Sequence, residues 1–502
     1  MDKRKSILNV SVSIAFKIIT IITALFVKRL LIKLCGNGIN GLNALYLSIV
    51  GFLSVAELGV GSAITFCMYK PIVEGENQKV SALYQLFKRL YLIIGGIIFV
   101  AGLLLAPFVG FFAKDYNQLD VNLYLTFLLM LFSVVISYLF SAKTALINAY
   151  KNNYITTAIT SGGLVLQQAL QIVVLLATRS FVWYLVCRIV AVAFQWGITE
   201  IISHRKYSYI TSVKQKIDED TRTEITKSVK AMFMHKVGYL LVSTVDSIVI
   251  SIFVGVVALG EYSNYTAIMT SLAGVLGLLF SSLISVFGHL YVQEKKNTTL
   301  KYCEAFHFVN FGLGVLFFLG YYAIIDNLVA LLFSAELVVV KTIPLVITLN
   351  GFVQFMRQST LAFRDATGTF YNDRWKPLIE GITNLVLSVI LVNFIGVVGV
   401  IVATVVTNLT ICHVIEPYVL YKHAFSASPK KYYLKNYFMI VLFAVALLVL
   451  DNLMVSAGSQ WKELFINGLI SVGISIVVCL IILLVNIKSC KCLFYGFKRK
   501  KS

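Results

Sequence analysis

The residues able to do chemistry in this chain are polar groups spaced three or four apart inside long apolar runs. Ser13, Lys17, Thr20, Ala24 and Lys28 share one face of a first helical run. Asn43, Tyr46, Ser54, Glu57 and Gly61 share a face of the second. His235, Tyr239, Ser243 and Asp246 repeat the pattern further on. Asn264, Ser271, Ser282, Ser285 and His289 follow, then Asn350, Gln354, Arg357 and Arg364. A charge at the bilayer centre costs about 2.5–3.5 kcal/mol on the insertion scale, so such groups usually face water or a partner. Stripes of this kind suit a wet passage that handles a polar or charged cargo.

The elements that must carry these stripes follow from composition. Of 502 residues, 59% are apolar and only 13% charged, with a mean hydropathy of +0.86. That is room for about fourteen spans of ~21 residues, and it excludes both a soluble enzyme and a disordered chain. Apolar runs predict helical spans near 8–33, 41–68, 89–113, 121–149, 155–177, 181–202, 233–256, 262–289, 303–325, 337–363, 377–394, 397–421, 436–454 and 463–487.

The basic residues orient these spans. With the N-terminus inside, 34 of 43 Lys and Arg fall on inner segments, as the positive-inside rule expects. The net charge of +20 thus reports topology rather than nucleic-acid binding. The expected fold is an all-α polytopic membrane protein of fourteen transmembrane helices with both termini cytoplasmic.

The chain also repeats itself. Gly36-x4-Gly41-x4-Tyr46 returns as Gly255-x4-Gly260-x4-Tyr265, an offset of 219, and Tyr150–Tyr154 aligns with Tyr371–Trp375 at 221. This predicts two six-helix lobes related by a pseudo-two-fold axis along the membrane normal. The expected organisation is an N-lobe over 1–202, a cytoplasmic linker over 203–232, a C-lobe over 233–422, and a helix pair with a basic tail over 423–502.

Several motifs are decoys. Gly36-Asn-Gly38-Ile-Asn-Gly41 satisfies G-x-G-x-x-G, but it lies between two spans rather than after a strand, and reads as a tight interhelical turn. The basic start resembles a signal peptide, yet its apolar run is too long. Cys490-x-Cys492 lacks the further ligands a metal site needs. No metal and no cofactor is expected, and no enzymatic signature is present. The charges have structural readings too. Lys28 and Arg29 can snorkel to headgroups, Arg364 can belong to an inner loop, and His235 to the interface. Arg188 reaches Glu200 only by bending. Lys17 can pair with Glu57 or Asp246, and those two acids can equally brace the lobes.

Particular blocks resemble a known family. Arg29–Gly36, Gly41-Leu-Asn43, Ala56-Glu57-Leu-Gly59-Val-Gly61-Ser-Ala63 and Tyr69-Lys70-Pro71 resemble the N-terminal signature of bacterial Wzx-type polysaccharide flippases. Asp246–Ser251, Gly260–Tyr265, Gly368-x4-Asn372-Asp373-Arg374, Pro377–Glu380 and Ile395–Thr404 extend the likeness over almost the whole chain. The family sits within the superfamily of multidrug, oligosaccharidyl-lipid and polysaccharide exporters. The resemblance implies flipping of undecaprenyl-diphosphate-linked oligosaccharides from inner to outer leaflet of the bacterial cytoplasmic membrane. It places the product in capsule, O-antigen or exopolysaccharide synthesis, with a polymerase and glycosyltransferases as partners and no nucleic acid. Lys17, Arg29 and Arg357 are then candidates to hold the diphosphate. Glu57 and Asp246, in matched blocks, with Asn43, Asn264 and Gln354, are candidates to line the passage or couple it to H⁺ or Na⁺. A cation-coupled drug antiporter of the same superfamily is the alternative.

Overall fold

The computed structural model describes residues 3–54, 60–211, 244–456 and 458–485, and among these every regular element is helical. In chain order they are α1 (Lys3–Cys35), α2 (Asn37–Leu53), α3 (Val60–Val73), α4 (Asn77–Leu105), α5 (Val109–Phe112), α6 (Leu123–Ala149), α7 (Asn153–Thr178) and α8 (Phe181–Lys206). There follow α9 (Thr244–Phe253), α10 (Val256–Gln293), α11 (Lys296–Leu332), α12 (Thr342–Met356), α13 (Gln358–Thr367) and α14 (Lys376–Thr407). The last are α15 (His413–Val419), α16 (Lys430–Leu453) and α17 (Gln460–Val485). Eight described helical segments are long and apolar enough to cross a membrane. Their outward faces carry side chains that water would not tolerate, such as Leu104, Phe394, Leu434 and Leu484, each about 70–80% exposed. The chain is a multi-pass membrane protein.

Helix breaks fall where the backbone demands glycine. Gly36 (φ 93°) separates α1 from α2, and Gly255 (φ 135°) separates α9 from α10. The two repeat glycines therefore occupy the same local setting, a positive-φ residue before a helix. Their partners match as well. Tyr46 is fully buried and meets the start of α6, donating to Leu123 O at 3.1 Å and lying 3.0 Å from Thr126 Oγ1. Tyr265 is fully buried, donates to Asp326 Oδ1 at 2.8 Å and accepts the Val339 amide at 3.2 Å. Tyr265→Phe leaves a carboxylate and an amide short of a partner. It is expected to cost about 1–3 kcal/mol, read as a lower unfolding temperature in detergent, with Tyr46→Phe at the low end of that range.

The described residues pack as two units, one up to Gly260 and one from Glu261 onward. The first centres on Phe87, Tyr91, Leu131 and Tyr138, with Phe87 and Tyr91 edge-to-face at 4.6 Å. The second centres on Phe311, Phe318, Phe352 and Phe443, where Phe352 and Phe443 stack at 3.6 Å. α17 runs along α11 and contributes Val478 and Ile482 to that core. The final helix pair is thus part of the second unit's packing.

Two predicted spans take a different form. Span ten, expected as one helix over 337–363, is broken at Arg357 into α12 and α13. Spans eleven and twelve meet at Ile395–Gly396, where Gly396 adopts φ 58° and ψ −137°, open only to glycine. Across that point Asn384 Nδ2 donates to Thr404 Oγ1 at 2.8 Å, and a Cβ on Gly399 would sit 2.3 Å from Leu391 O. Pairs equidistant from Gly396 touch, so the segment is an antiparallel helical hairpin.

Candidate functional site

The hairpin brings charges together at the end remote from its turn. Lys376 begins one arm, and Glu416 lies about as far along the other. Each is ~20 residues from Gly396, or ~30 Å at 1.5 Å per residue, one hydrocarbon thickness. Lys376 Nζ donates to Glu416 Oε1 at 2.5 Å and pairs with Glu380 Oε2 at 2.7 Å. Lys376 and Glu380, four residues apart, share a helix face.

Arg357 completes the cluster from the break between α12 and α13. Its Nε and Nη2 grip Glu416 in a two-pronged pair, at 3.1 Å to Oε2 and 2.6 Å to Oε1. Its Nη1 donates to Glu380 Oε1 at 3.3 Å and to Asn408 Oδ1 at 2.5 Å. Four of the five guanidinium N–H groups are thereby engaged. Two acids face two bases, all largely buried, with Glu416 1% and Lys376 4% exposed. The cluster is neutral as a whole, which is what makes its burial tolerable.

The break at Arg357 frees carbonyls that lipid cannot satisfy. Asn310 of α11 donates to Phe355 O and Met356 O at 3.2 and 3.3 Å. His413 Nε2 lies 3.0 Å from Val353 O, while its Nδ1 lies 3.0 Å from Asn436 Nδ2. The amide can only donate, so His413 carries its proton on Nε2 and gives it to the carbonyl. Next to the cluster, Arg364 donates to Asp373 Oδ2 at 2.7 Å. The arrangement is an interhelical clamp of exchangeable ion pairs. An incoming anion would compete for Arg357 and Lys376, and an incoming cation for Glu380 and Glu416.

The other predicted site residues fall in several places. Arg29 is exposed on α1. Lys17 lies in α1 with its side chain outside the described residues, and Glu57 lies outside them altogether. Asn43 is half-buried on α2, Asp246 half-buried on α9, and Asn264 fully buried on α10. Gln354 is exposed on α12 and donates to Asn350 Oδ1 at 3.2 Å. His235 and the Cys490–Cys492 pair are outside the described residues. Of the named candidates, Arg357 is the one held in the clamp. Its partners Lys376, Glu380, Asn408 and Glu416 were not singled out for a role, although Glu380 stands in a family-like block. The signal was present as an acid and an amide inside the otherwise apolar run 397–421. Two basic residues counted as loop charges, Arg357 and Lys376, are instead buried in ion pairs, because each finds a carboxylate across a helix interface. Arg364 lies in α13 rather than a loop, and Glu200 pairs with Lys143 rather than Arg188.

Known structures share this architecture. The chain aligns with the lipid II flippase MurJ in its inward closed conformation over 94% of its own length and 97% of that protein, with a TM-score of 0.64 at 16% identity. The fold is the one MurJ and the MATE transporters share. An inward-facing multidrug resistance MATE family transporter of the MOP superfamily aligns with a TM-score of 0.60 at 14% identity, covering 84% of this chain and 94% of that one. A mutant form of the Vibrio cholerae MATE transporter VcmN gives 0.51 at 14% identity, with 84% and 98% covered. No protein-family model matches the sequence, and no curated protein does. Within this MurJ and MATE fold, the clamp joins the broken α12–α13 helix to the α14–α15 hairpin.

Proposed function

We propose that the chain flips undecaprenyl-diphosphate-linked oligosaccharides from the inner to the outer leaflet of a bacterial cytoplasmic membrane, feeding capsule, O-antigen or exopolysaccharide synthesis. The observation that carries this reading is the near full-length fold likeness to a lipid II flippase. The motif resemblance over Arg29–Pro71 points the same way. In this reading the chain has fourteen spans with both termini inside, arranged as lobes over 1–202 and 233–422. A linker over 203–232 joins them, and the pair over 423–502 follows. A glycan needs a wet passage between lobes, while the polyprenyl tail stays in lipid and lobe rocking exposes the passage to either side. Lys17 and Arg29 hold the diphosphate. Arg357 joins them only by exchanging Glu416 for phosphate. Glu57 and Asp246, with Asn43, Asn264 and Gln354, line the passage and supply carboxylates for H⁺ or Na⁺ coupling.

In a strain lacking this chain, lipid-linked repeat units are expected to accumulate on the cytoplasmic leaflet. Lys17→Ala with Arg29→Ala, at normal protein level, is expected to slow their appearance outside about tenfold or more, since a hydrogen bond to a charged group is worth about 1.5–3 kcal/mol. Full rescue by that double variant would sink the phosphate assignment. The fold likeness to an inward-facing MATE transporter favours a second reading, a cation-coupled drug antiporter. Normal surface glycan combined with drug hypersensitivity in the deletion strain would select it.

A further inference from the structure

A cavity of about 420 Å³ opens where α4, α6 and α8 end together, lined by Lys88 and Arg89 of α4, Lys143 of α6, and Glu200, Ser203 and His204 of α8. Lys88, Arg89 and His204 are exposed, and Lys143 is paired with Glu200. Three basic side chains face one carboxylate, which leaves two positive charges uncompensated with His204 neutral. Tyr207 closes the inner wall, and its hydroxyl is held by Asn152 at 2.9 Å. Burial pushes the titration of Tyr207 and of nearby Tyr209 upward, so both phenols stay neutral at pH 7. The pocket thus offers cations and hydroxyl donors, the recognition chemistry of a phosphate.

What lies above the cavity on α4 identifies the rest of the ligand. Lys88, Leu92, Gly96, Phe99 and Leu103 recur at helical spacing along one face. Leu92, Phe99 and Leu103 are exposed, and nothing lies within 4 Å of a Cβ built on Gly96. The face is therefore an apolar strip with a shallow dent, starting at the rim of a basic pocket. A water-soluble phosphate would use the pocket and leave the strip idle, whereas a phospholipid uses both. We propose that this cavity binds the phosphate of an anionic membrane phospholipid, whose acyl chains lie along Leu92, Gly96, Phe99 and Leu103. Basic pockets beside spanning helices are suited to such headgroups. This inference stands independently of the transported cargo.

The test is thermal unfolding of the purified full-length protein in detergent, titrated with dioleoyl phosphatidylglycerol, dioleoyl phosphatidylcholine or inorganic phosphate. A ligand that binds only the folded state raises the unfolding temperature as its concentration passes Kd. Phosphatidylglycerol is expected to half-saturate at a concentration at least tenfold below phosphatidylcholine. Lys88→Gln with Arg89→Gln is expected to raise that concentration about tenfold, and either single variant about threefold. Both side chains are exposed, so the unliganded variant should unfold near the wild-type temperature. Exchanging the basic residues Lys70 and Lys79 for Gln, away from the cavity, should change nothing. An equal response to phosphatidylcholine, a wild-type response in the double and both single variants, or a response to inorganic phosphate as large as that to the lipid would each overturn the proposal.

Discussion

Glu416→Ala is expected to destabilise the protein by about 3–5 kcal/mol, the range for removing one member of a buried ion cluster. The carboxylate receives the two-pronged Arg357 pair and the Lys376 ammonium at once, at 2.6, 3.1 and 2.5 Å. Without it Glu380 alone faces two buried cations, and a net positive charge is left in a site that has excluded water. Arg357→Ala should cost less, because Lys376 remains to neutralise Glu416. Arg357→Met combined with Glu416→Leu should recover much of the loss, since apolar replacement of both partners removes the orphaned charge as well as the bond. Folded yield and unfolding temperature in detergent read all three variants. A Glu416→Ala protein that unfolds with the wild type would show that the clamp contributes nothing to the folded state.

Gly41→Ala is expected to be the most damaging single-methyl change in the first unit, costing about 3 kcal/mol or more. A Cβ at Gly41 would lie 1.8 Å from Val256 O and 2.8 Å from Gly260 N. These are backbone atoms, so no rotamer change relieves the clash. The approach is reciprocal, for a Cβ at Gly260 would lie 2.4 Å from Asn37 O. Asn37 and Asn40 tie the same crossing, donating to Val257 O and Gly260 O at 3.2 and 3.1 Å. Gly162→Ala is the matched control. It sits in α7 with nothing within 4 Å of the new methyl, and should be neutral or slightly stabilising. If the two variants unfold together, the close crossing of α2 and the first turn of α10 is not a constraint.

The sequence exposed most of the helical plan because lipid leaves few alternatives to a helix. Long apolar runs with glycine breaks therefore translate almost directly into elements. The repeat anchors Gly36, Tyr46, Gly255 and Tyr265 also read true as local settings, since positive φ and a buried phenol each demand a particular residue type. What sequence spacing could not convey was pairing across helices. Arg357 sits 23 residues from Glu380 and 59 from Glu416, and nothing in a linear reading joins them. Charge type alone assigned Arg357 and Lys376 to a loop, because an unpaired cation belongs in water. Folding supplied two carboxylates and reversed that conclusion. The break at Arg357 was equally hidden. No proline or glycine marks it, and it exists because Asn310 and His413, from other helices, take up the carbonyls it frees.

The clamp also depends on winding. Glu416 lies on a short α-helical stretch bounded on both sides by π-helix, over Asn408–Cys412 and Leu420–Phe425. A π-turn holds one more residue than the α-turn it replaces. Deleting any one residue between Asn408 and Cys412 would let that turn relax to ordinary α-helix. It would also rotate everything beyond it by about 100° relative to the hairpin's other arm. Glu416 would then swing away from Arg357 and Lys376 with no side chain altered. Homologues that keep the clamp are accordingly free to exchange Leu409, Thr410 or Ile411 for other apolar residues, but not to lose one. The length of this segment is as much a part of the site as the acids and bases it presents.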